Sequence, residues 1–184
     1  MLSAFVMIGN GNAFRAFVAE SVAVLQNVKA IDYYQRPLPD PLDDKFAEMV
    51  AVFQSTTGEL RTTFAEAFTD KQRALFGIYG HRAATLAVRE ENRDKLLSGL
   101  VGAAIANYTI PDKRNLAVSL AVYHYCARKL GMNTVDLFDK AAAVASAEFA
   151  PIAAQYGRRS DVTLKMYGWR EIKTPDGVKY KFDW

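Results

Sequence analysis

A chain of 184 residues that is 51% apolar and 23% charged can fold around a real core, and this composition excludes wholesale disorder. A net charge of +3 is too small to mark the whole molecule as a polyanion binder, so nucleic acid is not expected as a partner. The single cysteine, Cys126, excludes an internal disulfide and any cysteine-based metal cluster within one chain, which fits a reducing, cytoplasmic setting.

The opening MLSAFVMIGNGNAF lacks a basic start, and its apolar run stops after eight residues, so it reads as part of the mature fold rather than a secretory leader. No run approaches the length of a membrane span. Gly9-Asn10-Gly11 has the first two glycines of a dinucleotide-binding turn, but Phe14 stands where the third belongs and no βαβ unit follows. A plain turn before a helix is the better reading.

Asn12 is the expected cap of a helix to about Lys29, striped by Phe14, Phe17, Val18, Val22 and Leu25. Tyr33 to Pro39 reads as a turn-rich connection, because Pro37 and Pro39 exclude a regular helix. Asp40 as N-cap, Pro41 at the first helical position, and Asp43 and Asp44 in the first turn then start a helix. Its inner stripe is Phe46, Met49, Val50 and Phe53, and it should end near Gly58. A short amphipathic piece follows, with Leu60, Phe64 and Phe68 as its buried edge.

Thr69-Asp70-Lys71-Gln72 matches a capping box and predicts a long helix through about Arg89, with Phe76, Tyr79, Ala83 and Leu86 inward. Glu90-Glu91-Asn92 breaks it before a helix from Arg93 to Asn107. Asp112–Leu130 comes next, opened by Pro111-Asp112 and closed by Gly131. It is apolar on most sides, with Leu116, Leu120, Tyr123, Ala127 and Leu130 on one stripe, so it is expected at the centre of the bundle. Asn133 or Thr134 starts a further helix, and a last turn or two runs through Pro151 to Tyr156.

The tail changes period. Thr174-Pro175-Asp176-Gly177 is a turn sequence, and Val178, Tyr180, Phe182 and Trp184 alternate after it with Lys179, Lys181 and Asp183. This predicts a strand paired with one around Trp169 to Lys173. The expected fold is therefore mainly α: one helical domain over residues 1–160, a bundle of six or seven helices, with a β-hairpin appendage over 161–184. A weak echo at an offset of about 41 residues leaves two forms of the bundle open, a plain one and one containing two HEAT-like helix hairpins.

Few residues carry chemistry. Tyr123-His124-Tyr125-Cys126 is the densest reactive set, but successive helical positions point about 100° apart and cannot converge on one atom. His124 reads first as a core histidine bonded to a neighbouring helix. Gly77 and Gly80 cost the helix around Tyr79 about 1 kcal/mol each, so close packing or a bound ligand must justify them. Arg82 lies beside that helix's buried stripe and needs a carboxylate, a carbonyl or an anionic ligand. Two histidines in no metal-binding spacing, no GxSxG and no GxxxxGK leave no expected catalytic residue, metal or cofactor.

The leading expectation is a non-catalytic helical module that binds a protein partner or self-associates as a homodimer. Its aromatic hairpin residues Trp169, Tyr180, Phe182 and Trp184 are the candidate face. The alternative is a small-molecule binder for an anionic ligand, or an enzyme, with a pocket near Tyr79, Arg82, Tyr123 and His124.

Overall fold

The computed structural model describes residues 11–109, 113–159 and 169–182, and the chain is mainly α. In order come α1 (Gly11–Leu25), α2 (Ala30–Gln35), α3 (Pro41–Gln54), α4 (Gly58–Ala67), α5 (Asp70–Glu90), α6 (Arg93–Ala106), α7 (Lys113–Lys129), α8 (Thr134–Ala142) and α9 (Phe149–Arg158). Strands β1 (Trp169–Thr174) and β2 (Gly177–Phe182) pair antiparallel, from Trp169 opposite Phe182 to Thr174 opposite Gly177, and β2 lies beside α5. Trp184 and the Pro111-Asp112 opening fall outside the described residues.

The described residues hold nine helices rather than six or seven, and the surplus is short. α2 occupies part of the stretch expected to be a turn. Pro37 forces the residue before it, Arg36 at ψ 144°, out of the helical region and so ends α2, while Ala30–Gln35 itself contains no breaker. α1 begins at Gly11 and ends at Leu25, so Asn12 lies inside it rather than capping it, and the turn at Gln26–Val28 leads into α2. α9 is longer than the expected turn or two, because Pro151 falls in its first turn, where its missing N–H has no helical partner to lose.

Capping chemistry sets the starts of α3, α5, α6 and α8 and the ends of α5 and α7 where the residues predict, whereas α3 stops at Gln54 and Gly58, its expected end, opens α4. The Asp40 carboxylate accepts from the Leu42 N–H at 2.9 Å while Asp43 accepts from the Asp40 N–H at 2.9 Å. Thr69 and Gln72 exchange the same kind of pair at the start of α5. Glu91, at φ 54°, ends α5 in the left-handed region, and Asn92 caps α6. Gly131, at φ 65°, closes α7, which a β-carbon would oppose.

The interior forms two apolar clusters. One gathers α1 to α4 on Leu75, Phe76 and Tyr79 of α5 and Val101 and Ile105 of α6. The other gathers α7, α8 and α9 on Ala84 and Ala87 of α5 and Leu96, Leu100 and Ala104 of α6. The organising element is therefore the α5–α6 hairpin, which runs through both clusters, and not α7. α7 is buried on several sides, as its sequence predicts, but belongs to the second cluster alone.

Candidate functional site

Arg82 has all five of its N–H donors engaged inside the protein. Nε donates to Asp43 Oδ1 at 2.8 Å and Nη2 to Asp43 Oδ2 at 3.0 Å. Nη1 donates to the carbonyls of Tyr33 and Arg36, at 3.2 and 2.7 Å, and Nη2 also reaches the Pro37 carbonyl at 3.1 Å. The guanidinium lies 4.8 Å over the Tyr33 ring. Asp43 is as fully used: Oδ1 also accepts from the Tyr33 hydroxyl at 2.6 Å, and Oδ2 from the Asp40 N–H.

Burial alone would raise the Asp43 carboxyl, but the hydrogen bonds from Arg82, Tyr33 and the Asp40 N–H outweigh it and hold the group below the usual carboxylate range. Burial likewise opposes the Arg82 charge, and the bonds to Asp43 overcome it. The Tyr33 hydroxyl is pushed up, first by burial and then by donating to Asp43. The side chain with the best claim to an anionic ligand thus takes a carboxylate and three carbonyls of its own chain. It clamps the α2–α3 connection onto α5.

Tyr79 and Tyr123 serve the crossing of α5, α6 and α7. The Tyr79 hydroxyl is 2.6 Å from Ser98 Oγ, and burial pushes its pKa up to about 12. The Tyr123 hydroxyl donates to the Gly99 carbonyl at 3.1 Å. A β-carbon on Gly80 would stand 2.6 Å from the Gly99 carbonyl oxygen and would strike the Tyr123 hydroxyl, so that glycine is there for close packing. Gly77 is different: its nearest atom would be Ala106 Cβ at 3.5 Å, an ordinary contact. Cys126 sits behind this crossing, its thiol pushed up to about 12 by burial, which leaves it a poor nucleophile. His81 shares neither setting; its ring lies 6.3 Å from that of Tyr34, and burial depresses its pKa.

His124 belongs elsewhere. Its Nε2 lies 2.6 Å from the carbonyl of Arg159, the residue that ends α9. That bond joins α7 to α9 beside a recess of about 420 Å³, lined by His124, Arg128, Asn133, Thr134, Arg158 and Arg159 among others. The four candidate ligand residues therefore do not share one geometry. Arg82 closes the α2–α3 clamp, Tyr79 and Tyr123 brace the helix crossing, and His124 alone borders an open cavity.

Comparison of the chain with protein-family models, curated proteins and solved structures finds no match.

Tyr33 and Asp43 are the site residues that sequence inspection passes over. A signal for Asp43 exists, since an arginine on a buried stripe demands a carboxylate, but several Asp and Glu residues compete for the role. Arg128, Arg158 and Arg159 come from two helices and a helix end, and nothing in their spacing announces a common recess. Strands β1 and β2 carry Trp169, Tyr180 and Phe182. Among the described residues no group of three or more His, Cys, Asp or Glu is placed to hold a metal ion, and no helix is long and apolar enough to cross a membrane.

Proposed function

We propose that the protein is a non-catalytic helical module that pairs with a second copy of itself through the outer face of α2. The observation that carries this reading is where large apolar side chains stay in water. Among the residues whose side chains the structure describes, which leaves out Trp169, Tyr180 and Phe182, the exposed ones are Val24, Ile31 and Tyr34, with 39%, 60% and 57% of their surface accessible, all between positions 24 and 34. Ile31 and Tyr34 are three apart on one helix and so share a side. An apolar face left in solvent has a thermodynamic reason to be covered.

A second copy suits this face because its surroundings are self-complementary. Lys29 and Asp32, both exposed, flank Ile31 with opposite charge, so a two-fold pairing of α2 on α2 sets each lysine toward the partner's aspartate. The buried polar groups support the non-catalytic half of the reading. Arg82 and Asp43 are saturated by the fold, Arg73 donates to the carbonyls of Ala65 and Phe68, and Gln72 donates to the Val22 carbonyl. The lone buried thiol suits a reducing cytoplasm, where we place the protein.

Sedimentation velocity on the full chain tests this across a wide concentration range. A face carried by a six-residue helix belongs with weak interfaces burying less than about 1,200 Å² in total, so a dimer growing in at high concentration is expected. Ile31→Asp should abolish it while leaving the thermal midpoint within a few degrees, since the side chain is exposed. A monomer at every concentration sinks the reading. So does a dimer indifferent to Ile31→Asp, and one lost only on Tyr180→Ala would move the interface to the β1–β2 pair.

A further inference from the structure

We propose that the recess between α7, α8 and α9 is a binding site for a small phosphomonoester, with Arg128, Arg158 and Arg159 as its cationic walls. It is independent of the association through α2, which contributes nothing to it. About 420 Å³ falls within the size range of small-ligand pockets and suits a phosphate carrying a compact organic group. Three arginines line it, and no carboxylate does among the described lining residues. Arginine is the side chain whose planar fork matches phosphate oxygens, and its charge persists at any working pH.

Three contacts hold the walls in place before any ligand arrives. Thr134 Oγ1 donates to the Gly157 carbonyl at 2.8 Å, tying the first turn of α8 to the end of α9. His124 ties α7 to the same end through the Arg159 carbonyl. At Gly157 a β-carbon would lie 2.8 Å from Phe138 Cβ and 3.0 Å from the Thr134 carbonyl oxygen, so α8 and α9 meet nearly backbone to backbone. The backbone frame of such a recess is preorganised, so binding has only the arginine side chains to order.

The same contacts change the electrostatics of the α9 terminus. A helix C-terminus presents free carbonyls that repel an anion. Here the carbonyl of Ala154 accepts from Arg158 Nη1 at 2.8 Å, that of Gly157 from Thr134, and that of Arg159 is paired with His124. Part of the end that would oppose a phosphate is thus engaged, while α8 begins at the recess with its positive end, Asn133 capping it through the Asp136 N–H. One competing group is Asp139, 3.6 Å from Arg158 Nη2 at the rim. Both side chains are about half exposed, so that pairing is weak and a phosphate can displace it.

Titrating the full chain with inorganic phosphate at low ionic strength, followed by the amide and arginine Nε–H signals in ¹H–¹⁵N spectra, tests the site. Saturable shifts are expected at the Nε–H of Arg128, Arg158 and Arg159 and at the amides of Thr134 and Val135. Acetate at equal ionic strength should give smaller shifts that do not saturate. Arg128→Gln and Arg158→Gln replace exposed side chains, and each should weaken phosphate binding about tenfold, whereas Arg15→Gln on α1 should change nothing. Shifts that never saturate, or affinity unchanged in Arg128→Gln/Arg158→Gln, overturn the proposal. Heparin binding that far outcompetes phosphate, with a steep salt dependence, overturns it in favour of a polyanion surface.

Discussion

The two halves of the interior are built from different materials. The first is aromatic: Phe14, Tyr33, Phe46, Phe53, Phe64, Phe68, Phe76 and Tyr79 all belong to it, with ring centroids as close as 4.9 Å between Phe46 and Phe76. The second is lined by Ala84, Ala87, Ala103, Ala104, Ala121, Ala127, Ala141 and Ala153. Rings bury much area from few positions, so short elements such as α2 and α4 suffice around them. Small residues bury little each, and they are useful only where backbones approach closely. The aromatic half consequently needs something to fix how its short pieces sit, and Arg82 with Asp43 supplies it. The alanine half is fixed by shape.

Removing the clamp should have the largest effect. Arg82→Ala strands the Asp43 carboxylate in the interior, and Asp43→Ala strands the guanidinium; each should lower stability by about 3–5 kcal/mol, read from urea unfolding. Arg82→Leu/Asp43→Leu should cost less than either alanine variant, because no buried charge is left without its partner. A double variant as unstable as the sum of the singles would show that packing, not charge, does the work. The pH sign follows from the depressed Asp43 carboxyl. Its contribution is present above the unfolded value of 3.8 and is lost as pH falls through the lower folded value. Wild type should thus lose stability in acid, and Asp43→Asn, already weakened at neutral pH, should show a shallower acid limb.

The shape-fixed side breaks differently. Gly80→Ala puts a methyl group 2.6 Å from the Gly99 carbonyl oxygen and onto the Tyr123 hydroxyl. Both helices would have to separate, since a backbone oxygen has no rotamer to move to. A loss of about 1–3 kcal/mol is expected by thermal or urea unfolding, independent of pH. Retained stability would mean that α5 and α6 can slide apart at low cost, and the division between a clamped half and a close-packed half would fail.

How much of this was legible follows from the range over which each signal acts. Asp40, Pro41, Thr69, Gln72, Gly131 and Asn133 mark helix ends because a cap involves residues within one turn of each other. The Phe46, Met49 and Phe53 stripe announces a buried face for the same local reason. What α5 and α6 do is not local: only packing shows that their two ends serve different clusters, so α7, apolar on most sides, reads from sequence as more central than it is. The partner of Arg82 lies 39 residues away in sequence, and its need for a carboxylate was readable while the choice of Asp43 was not. The recess at His124 takes its arginines from separate segments, which no spacing rule connects.

The smallest effect expected is also the sharpest check on the close-packed half, because it reverses sign within one helical turn. Gly77 and Gly80 lie three residues apart on α5, and from sequence both look like the same flaw in a helix. At Gly77 an added methyl group meets Ala106 Cβ at 3.5 Å, an ordinary van der Waals distance, and its backbone is already helical. Gly77→Ala should therefore recover the helix propensity that glycine forgoes, about 0.5–1 kcal/mol, and raise the melting temperature by a few degrees. A loss instead would mean that α5 and α6 are as tight at Ala106 as at Gly99. The close approach would then extend along the hairpin instead of being confined to the crossing where Tyr123 meets Gly99.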